Sequence, residues 1–478
     1  MDVWEHLTPK AVFTFFEAIC RIPHGSGHVE QISRYLVTFA RERGLRFLQD
    51  AMGNVVIFKD GTPGYEEAAP VILQGHMDMV CEKAPDCRRD MTREGLALAV
   101  DGDMIYAEGT TLGGDDGIAV AMMLAILDAH DLPHPPIEAV FTVDEEIGML
   151  GAAAIDVHML RGRRMLNIDS EDEGVFTVSC AGGSVASCVL PVCRTPAAGE
   201  ALCVTLEGLQ GGHSGVEIHK GRGNANVLMG RVLYAIAQRT AMRLVSVNGG
   251  GKDNAIARQC TAQIIVSCAD EARDACAILE KTLQEEYRVT DPDIRLCVTD
   301  GQMAPAMDVH SSQKVICMLL NLPHGVQTMS ADIDGLVQTS LNMGILATTA
   351  EQVEATFCVR SSLESQKQLL WQQLESLMTL LGGTVAISGD YPGWAYRRNS
   401  PLRELMVAVF TEQYGYAPRV EAIHAGLECG LFCGKLPGLD CLSFGPTIQE
   451  IHTCRERMSI SSVQRVWRML TEALRRMK

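Results

Sequence analysis

Three short apolar runs in the first 170 residues each end in charge. PVILQG leads into His76-Met77-Asp78, IEAVFTV into Asp144-Glu145-Glu146, and RRMLNI into Asp169-Ser170-Glu171. Apolar runs of about four to eight residues bounded by polar turns read as strands buried on both faces, the kind found in a parallel sheet covered by helices. In an open parallel sheet the carboxyl ends of the strands form one functional edge. If the three runs are neighbours, their acids converge there. Adjacent carboxylates repel, and burying them without partners costs more than folding can offset. Such a chain either ends its strands in solvated turns or gathers its acids around a multiply charged cation.

The rest of the pattern assigns these runs to an α/β domain. ISRYLVTFARERGL and GIAVAMMLAILDAH read as helices, and NVVIFKD as a further strand, so strands and helices alternate. From about Ser184 the pattern changes to α+β. CVLPVCR, ALCVTLEGL and ARQCTAQIIVSCA read as strands, with helices at NANVLMGRVLYAIAQRT and DEARDACAILEKTLQEEY. A similar strand–helix set follows in TSLNMGILATTAEQVEATFCVRSS, SQKQLLWQQLESLMTLL and GTVAISGD, which suggests a loose internal duplication. The expectation is a catalytic α/β domain with a mostly parallel sheet flanked by helices, interrupted by a smaller α+β lid domain. Its boundaries fall at residues 1–185, 186–390 and 391–478.

Bulk properties narrow the function. A net charge of -18 argues against a nucleic-acid surface, which needs a basic face. No window approaches an apolar membrane span of about twenty residues. The seventeen cysteines are dispersed, lie mostly in apolar runs and form no CxxC pair, and the N-terminus lacks a signal-peptide pattern. Reduced thiols in a cytoplasmic protein are the expected state.

A fourth acidic cluster, GTTLGGDDGIAVA, places Asp115 and Asp116 where a helix opens, and in isolation reads as an aspartate N-cap. His76 and Asp78 are two apart, so on an extended segment both face one way. Asp78 can then accept a hydrogen bond from the imidazole and leave its other nitrogen for a metal. One imidazole with several carboxylates suits zinc, manganese or cobalt and not a thiolate site. Two ions sharing a carboxylate would neutralise the acids, hold a hydroxide and polarise a carbonyl, with one glutamate as general base.

The motifs GHMDMV, GTTLGGDDG, FTVDEEIGMLGA, LNIDSEDEG, GGHSGVEIHKGRGNAN, FCVRSS, HAGLECGLF and GPTIQEIHT extend over nearly the whole chain. In that order they resemble the aminoacyl-histidine dipeptidases (Xaa-His dipeptidases, carnosinase-like), within the clan of dinuclear zinc aminoacylases and dipeptidases. The resemblance implies that His76 and Asp169 hold one metal, Glu146 and His452 the other, and that Asp115 bridges them. It implies Asp78 as the residue orienting His76, and Glu145 as the base activating a hydroxide bridged between the ions. In the lid, His213 would stabilise the oxyanion, in many relatives across a dimer interface. Arg360 would clamp the substrate carboxylate, and Asn254 and Gly426 would line the substrate site. The implied activity is hydrolysis of dipeptides, Xaa-His pairs such as β-alanyl-histidine first among them, by a homodimer carrying two divalent ions per chain. An N-acyl amino acid deacylase or broader exopeptidase shares the mechanism. A non-catalytic metal-binding protein would leave a hole among ligands or base, and none is found.

The chain departs from this branch in two places. LGGDDG stands where LGADNG is usual, adding a charge at Asp116, and IHTCRE stands where AHSPDE is common, placing Cys454 beside His452 as a candidate for metal contact. His24, His130 and His134 read as solvated loop histidines, and the run Glu171-Asp172-Glu173 as a solvated turn. His219 and His424 are either structural or part of the site. GGHSG is no nucleophile elbow, since Val216 replaces the second glycine. VNGGGKDN lacks phosphate-binding spacing and reads as a hairpin loop.

Overall fold

Residues 117–127 of the helix Gly114–Asp128 are buried on every side, so this helix needs cover all round. The helix Lys10–Cys20 packs on it from one direction and the central sheet from another. The computed structural model describes residues 6–478 and divides the chain into two compact units. The first runs up to Ser179 and resumes at Tyr396–Ala422 and Leu427–Lys478; the second comprises Cys180–Ala395 and Ile423–Gly426. The short return at Ile423–Gly426 has no signature in the sequence pattern.

The first unit is built on an eight-stranded sheet. Its strands in chain order are β1 (Arg46–Gln49), β2 (Val55–Lys59), β3 (Val71–His76), β4 (Ile137–Thr142), β5 (Arg164–Asn167), β6 (Val175–Cys180), β7 (Arg419–Ile423) and β8 (Asp440–Ser443). They lie side by side as β1-β2-β4-β3-β5-β8-β6-β7. The neighbours β4, β3, β5 and β8 run parallel. The pairs β1–β2, β2–β4 and β8–β6 are antiparallel. The parallel character expected from the sequence therefore belongs to the centre of the sheet. Both β3 and β4 are buried along their whole length, as continuous apolar runs require. Because β4, β3 and β5 are adjacent and parallel, their charged sequels leave the sheet at one edge. A second sheet of four short strands joins Leu98–Asp101 and Met104–Ala107 to the hairpin Ile448–Gln449/Arg457–Ser459.

The second unit holds an antiparallel sheet with a doubled plan. The strands Glu200–Glu207, Met242–Gly249, Cys260–Val266 and Arg295–Asp300 carry helices Ala225–Ala237 and Ala269–Glu286 between first and second, and third and fourth. The strands Gly182–Pro191, Val337–Thr348, Gln352–Ser361 and Thr384–Tyr391 repeat that order with helices Val309–Asn321 and Glu364–Leu381. In the sheet the second strands of the two sets are neighbours, and each set continues outward in the same sequence, third, first, fourth. The suggested duplication is thus a strand–helix–strand–strand–helix–strand module used twice, the first copy inserted after the opening strand of the second. One core lies between this sheet and its helices, including Val204, Leu233, Leu283, Leu319, Phe357 and Leu374. The first three residues of VNGGGKDN end the strand Met242–Gly249, and the rest lie on its connection to Cys260–Val266.

Candidate metal centre

β3 ends at His76, whose side chain is 1% exposed. Its Nδ1–H donates to the main-chain carbonyl of Asp78 at 2.9 Å. Its Nε2, the nitrogen that would be left to a metal, faces Asp115 Oδ1 at 3.1 Å and Asp169 Oδ1 at 3.7 Å. The Asp78 carboxylate, expected to orient the ring, also lies on the Nδ1 side of it. The carbonyl makes the shorter contact, and the carboxylate Oδ1 stands 3.5 Å from the same nitrogen. The carboxylate also accepts from Ser26 Oγ at 2.8 Å and from the backbone N–H groups of Glu145 and Glu146 at 3.1 and 3.4 Å. Burial alone would raise the Asp78 carboxyl, but His76, Ser26 and the Glu145 N–H together hold it below its ordinary range. Asp78 thus ties the end of β3 to the turn that follows β4.

That turn explains how two adjacent glutamates join one cluster. Asp144 adopts a φ of 54°, a left-handed conformation uncommon outside glycine, and its Oδ1 accepts from Gly27 N–H at 2.7 Å. The chain then closes back, with the N–H groups of Gly148 and Met149 on the Glu145 carbonyl and that of Gly151 on Val143. A Cβ at Gly151 would lie 2.3 Å from the Val143 carbonyl oxygen, so the closure needs glycine. Asn54 braces it, accepting from Val143 N–H at 3.0 Å and donating to the Gly151 carbonyl at 3.1 Å.

Asp115 and Asp116 do not cap the helix that they open. Asp115 has φ -83° and ψ 105°, outside the helical region. The free N–H groups are taken by Glu456, which the sequence reading missed. Its Oε2 accepts from Leu112 and Gly113 at 2.8 and 3.1 Å, and its Oε1 from Gly114 and Asp115 at 2.8 and 3.4 Å. A carboxylate satisfies the positive end of a helix well. Relieved of capping, Asp115 is divided between two imidazoles: Oδ1 faces His76, and Oδ2 lies 3.1 Å from His452 Nε2. His452 rides the hairpin loop between Ile448–Gln449 and Arg457–Ser459, with a φ of 59°, and its Nε2 also lies 2.9 Å from Glu146 Oε1.

Donor atoms of His76, Asp116 and Asp169 lie within 4.8 Å of one another, as do those of His76, Glu145 and Glu146, and of Asp115, Glu146 and His452. All five expected ligand positions fall in these groups, and so do Glu145 and Asp116; Cys454 does not. Asp116 is buried and accepts from His76 N–H at 3.2 Å. Burial, then repulsion from Asp115 and Glu428, pushes its carboxyl well up; burial and Asp116 do the same to Asp169. Hydrogen bonds that its ring donates to Asp115 and Glu146 push His452 up to about 10. A cluster that drives an imidazole to keep its proton is demanding positive charge, and imidazole with carboxylate donors fits divalent zinc, manganese or cobalt.

Other expectations fail on burial. His24 and His134 are 2% and 0% exposed, not solvated; His24 Nδ1 meets the Ile22 carbonyl and His134 Nδ1 that of Pro135. Glu171 and Asp172 are exposed, but Glu173 is not a free turn residue. Both its oxygens bind Arg465 at 2.6 Å, and Tyr414 Oη donates to it.

The second unit carries the remaining candidates. His213 lies on the two-residue ladder Gly212–His213/Ala255–Ile256, beside a cleft of about 1050 Å³ also lined by Lys252, Asn254 and Arg258. The N–H groups of Gly215 and Val216 both donate to His213 Nδ1 at 3.2 Å, which leaves the ring proton on Nε2. Burial, then Arg360, lowers its pKa, so a neutral donor is favoured. Arg360, on the strand Gln352–Ser361, is 7% exposed; its Nη1 donates to Tyr391 Oη at 3.4 Å, and its Nε has no partner among the described residues. His424 is buried with Nε2 on Ser340 Oγ at 2.7 Å, and burial with Arg360 pushes it down to about 3. Gly426 closes the Ile423–Gly426 return.

The chain belongs to peptidase family M20/M25/M40, whose model matches residues 72–476. Over 480 residues, 99% of both chains, it is 38% identical to the cytosol non-specific dipeptidase of Escherichia coli (strain K12). The crystal structure of aminoacylhistidine dipeptidase from Vibrio alginolyticus matches it with a TM-score of 0.93 and 37% identity, covering 98% of each chain. An aminopeptidase from Bacillus cereus ATCC 10987 shares the fold alone, at 15% identity and a TM-score of 0.56 over 98% of this chain and 99% of its own.

Proposed function

We propose that this chain is a dinuclear metallopeptidase that hydrolyses dipeptides, with Xaa-His pairs such as β-alanyl-histidine among them. The observation that carries the reading is the division of Asp115 between His76 and His452, with the Glu145 carboxyl beside them bound to neither. In this reading His76 and Asp169 hold one divalent ion, Glu146 and His452 the other, and Asp115 both. Zinc suits the set, and manganese and cobalt do so too. The ions, when bound, supply Lewis acidity and lower the pKa of water.

Glu145 takes the proton of the attacking water and returns it to the leaving amine. Its burial and the nearby Glu428, Glu146 and Asp115, against the opposing pull of His76, push its carboxyl up to about 8 in the cation-free chain; bound cations would favour the ionised form that accepts a proton. Asp78 keeps Glu145 and Glu146 apart in role by fixing both backbones. Nε2–H of His213 serves the oxyanion and Arg360 the substrate carboxylate, while Asn254 and Gly426 line the substrate site.

Similarity to a non-specific dipeptidase and to an aminoacylhistidine dipeptidase supports dipeptides as the substrate class, with a range wider than histidine alone. The name of the former also supports a cytoplasmic setting, and no described helix is long and apolar enough to cross a membrane. A homodimer follows from the resemblance.

The test is a panel of dipeptides, tripeptides and N-acetyl amino acids on metal-reconstituted protein. Dipeptides, Xaa-His included, should turn over fastest, with activity lost on chelation and restored by zinc, manganese or cobalt. Faster hydrolysis of acetylated substrates, or indifference to an exhaustive chelator, would refute the reading.

A further inference from the structure

Beneath the acidic cluster lies a buried carboxylate that the proposed chemistry does not use. Glu428, the first residue of the helix Glu428–Lys435, is fully buried. Its Oε2 accepts from Gln74 Nε2 at 2.5 Å and from Thr142 Oγ1 at 2.7 Å. Asn167 Nδ2 donates to Gln74 Oε1 at 2.7 Å, which fixes the amide with its NH2 toward Glu428. Gln74, Thr142 and Asn167 belong to the adjacent strands β3, β4 and β5. The next residues along those strands are the ones that deliver His76, the Glu145–Glu146 pair and Asp169.

The network is incomplete in one respect. Two donors converge on Oε2, while the buried Oε1 has no hydrogen-bond partner, and among the described residues no Lys, Arg or His forms an ion pair with Glu428. A protonated Oε1 would lack an acceptor, and an ionised group would have only the partial positive charge at the start of its own helix and no charged side-chain partner. Either state is costly in a buried site. The polar groups within electrostatic reach are those of the cluster itself, His76 and Asp78 among them. A cation held there would supply the missing charge.

We propose that Glu428 is a positioning residue of the metal centre: it stays off the ions, clamps the three ligand-bearing strands from below, and supplies buried negative charge that the bound cations compensate. The inference rests on the reading that His76, Asp115, Glu146, Asp169 and His452 hold metal. It predicts that Glu428 costs stability in the stripped protein and strengthens metal binding, a pairing that a merely structural residue would not produce.

The experiment uses full-length wild type, Glu428→Gln, Glu428→Asp, Thr142→Val and Glu146→Gln. Each is stripped, titrated with zinc by calorimetry, loaded with cobalt for its visible spectrum, and melted with and without metal. Glu428→Gln keeps an acceptor for Gln74 and Thr142 but loses the charge. It should bind zinc about 10–100-fold more weakly and change the cobalt spectrum, while the stripped form melts no lower than wild type. Glu428→Asp should recover part of the affinity. Thr142→Val keeps the charge and breaks the clamp on β4, so it should alter the cobalt spectrum with a smaller loss of affinity. Wild-type zinc affinity and cobalt spectrum in Glu428→Gln, while Glu146→Gln loses an equivalent of metal, would overturn the role of Glu428 alone. So would a destabilised Glu428→Gln with Thr142→Val indistinguishable from wild type. Failure of the wild-type chain to take up stoichiometric metal would overturn the metal reading and this inference with it.

Discussion

The two halves of the candidate metal centre are built differently. His76 and Asp169 follow central parallel strands, and the His76 side chain is 1% exposed. Glu146 and His452 sit on loops, and the His452 side chain is 45% exposed. The first half takes its position from sheet hydrogen bonds that extend through β3 and β5. The second depends on two carboxylates outside the ligand set, Asp78 for the Glu146 turn and Glu456 for the helix start that presents Asp115 to His452. A buried strand end opens only with its sheet, whereas a hairpin loop opens locally. His452 is therefore the ligand position placed to open locally, while Glu146, at 8% exposed, is seated as deeply as Asp169 at 11%.

The largest effect should come from the residue between the halves. Glu145→Gln should lower kcat by about 10²–10⁴-fold while metal content by elemental analysis stays at wild type. Turnover near wild type on every good dipeptide would remove Glu145 as the base. The asymmetry itself is read by timed chelation, with residual metal measured at each point. Loss should be biphasic, and His452→Ala should abolish the fast phase and leave the slow one. A single phase in the wild type would break the comparison. Glu456→Ala strands the buried N–H groups that now share its oxygens, and should destabilise the chain by about 1–3 kcal/mol in denaturant unfolding. An unchanged midpoint would show that water takes over those groups.

The smallest effect concerns Glu173, just past Asp169 in the chain. Burial would raise its carboxyl, but Arg465 and Tyr414 outweigh this and hold it below its ordinary value. The folded state therefore releases the proton more readily than the unfolded chain. The stabilisation is present above the ordinary glutamate range and fades as pH falls through the lowered folded value. With Arg465 36% and Glu173 11% exposed, solvent screening keeps it to about 1 kcal/mol. Thermal melts from neutral to acidic pH should converge for wild type and Arg465→Gln at the acid end. A constant gap would assign the difference to packing.

Much of this was legible in local pattern. Continuous apolar runs disclosed β3, β4 and β5, and their charged sequels disclosed which residues would meet, because neighbouring parallel strands leave a sheet at a common edge. The direction of β1, β2 and β6 was not legible, since an apolar strand pairs either way and the partner decides. Glu456, Glu428 and Gln74 escaped notice for another reason. Each acts on groups far along the chain, as when Glu456 caps a helix that starts 342 residues earlier, and nothing in the neighbouring sequence records the partner. His24 and His134 misled because proline- and glycine-rich surroundings predict exposure, while burial depends on what packs over a loop.

By itself the sequence determined the chemistry that this chain carries: two imidazoles, a set of acids at strand ends, and too little basic surface for a polyanion. Those follow from residue identity and short-range periodicity, which folding cannot alter. Only the tertiary structure decided how that chemistry is divided. It turned Asp144 so that two neighbouring glutamates join one cluster, and set the Asp78 carbonyl on the His76 ring with the carboxylate beside it. It also set Asp78 to fix the glutamates and left Asp115 free to face both histidines. Hydrogen bonds are directional and short, so which carboxylate caps, braces or faces a cation is settled by distances of a few tenths of an ångström, and those exist only once the strands and loops have met.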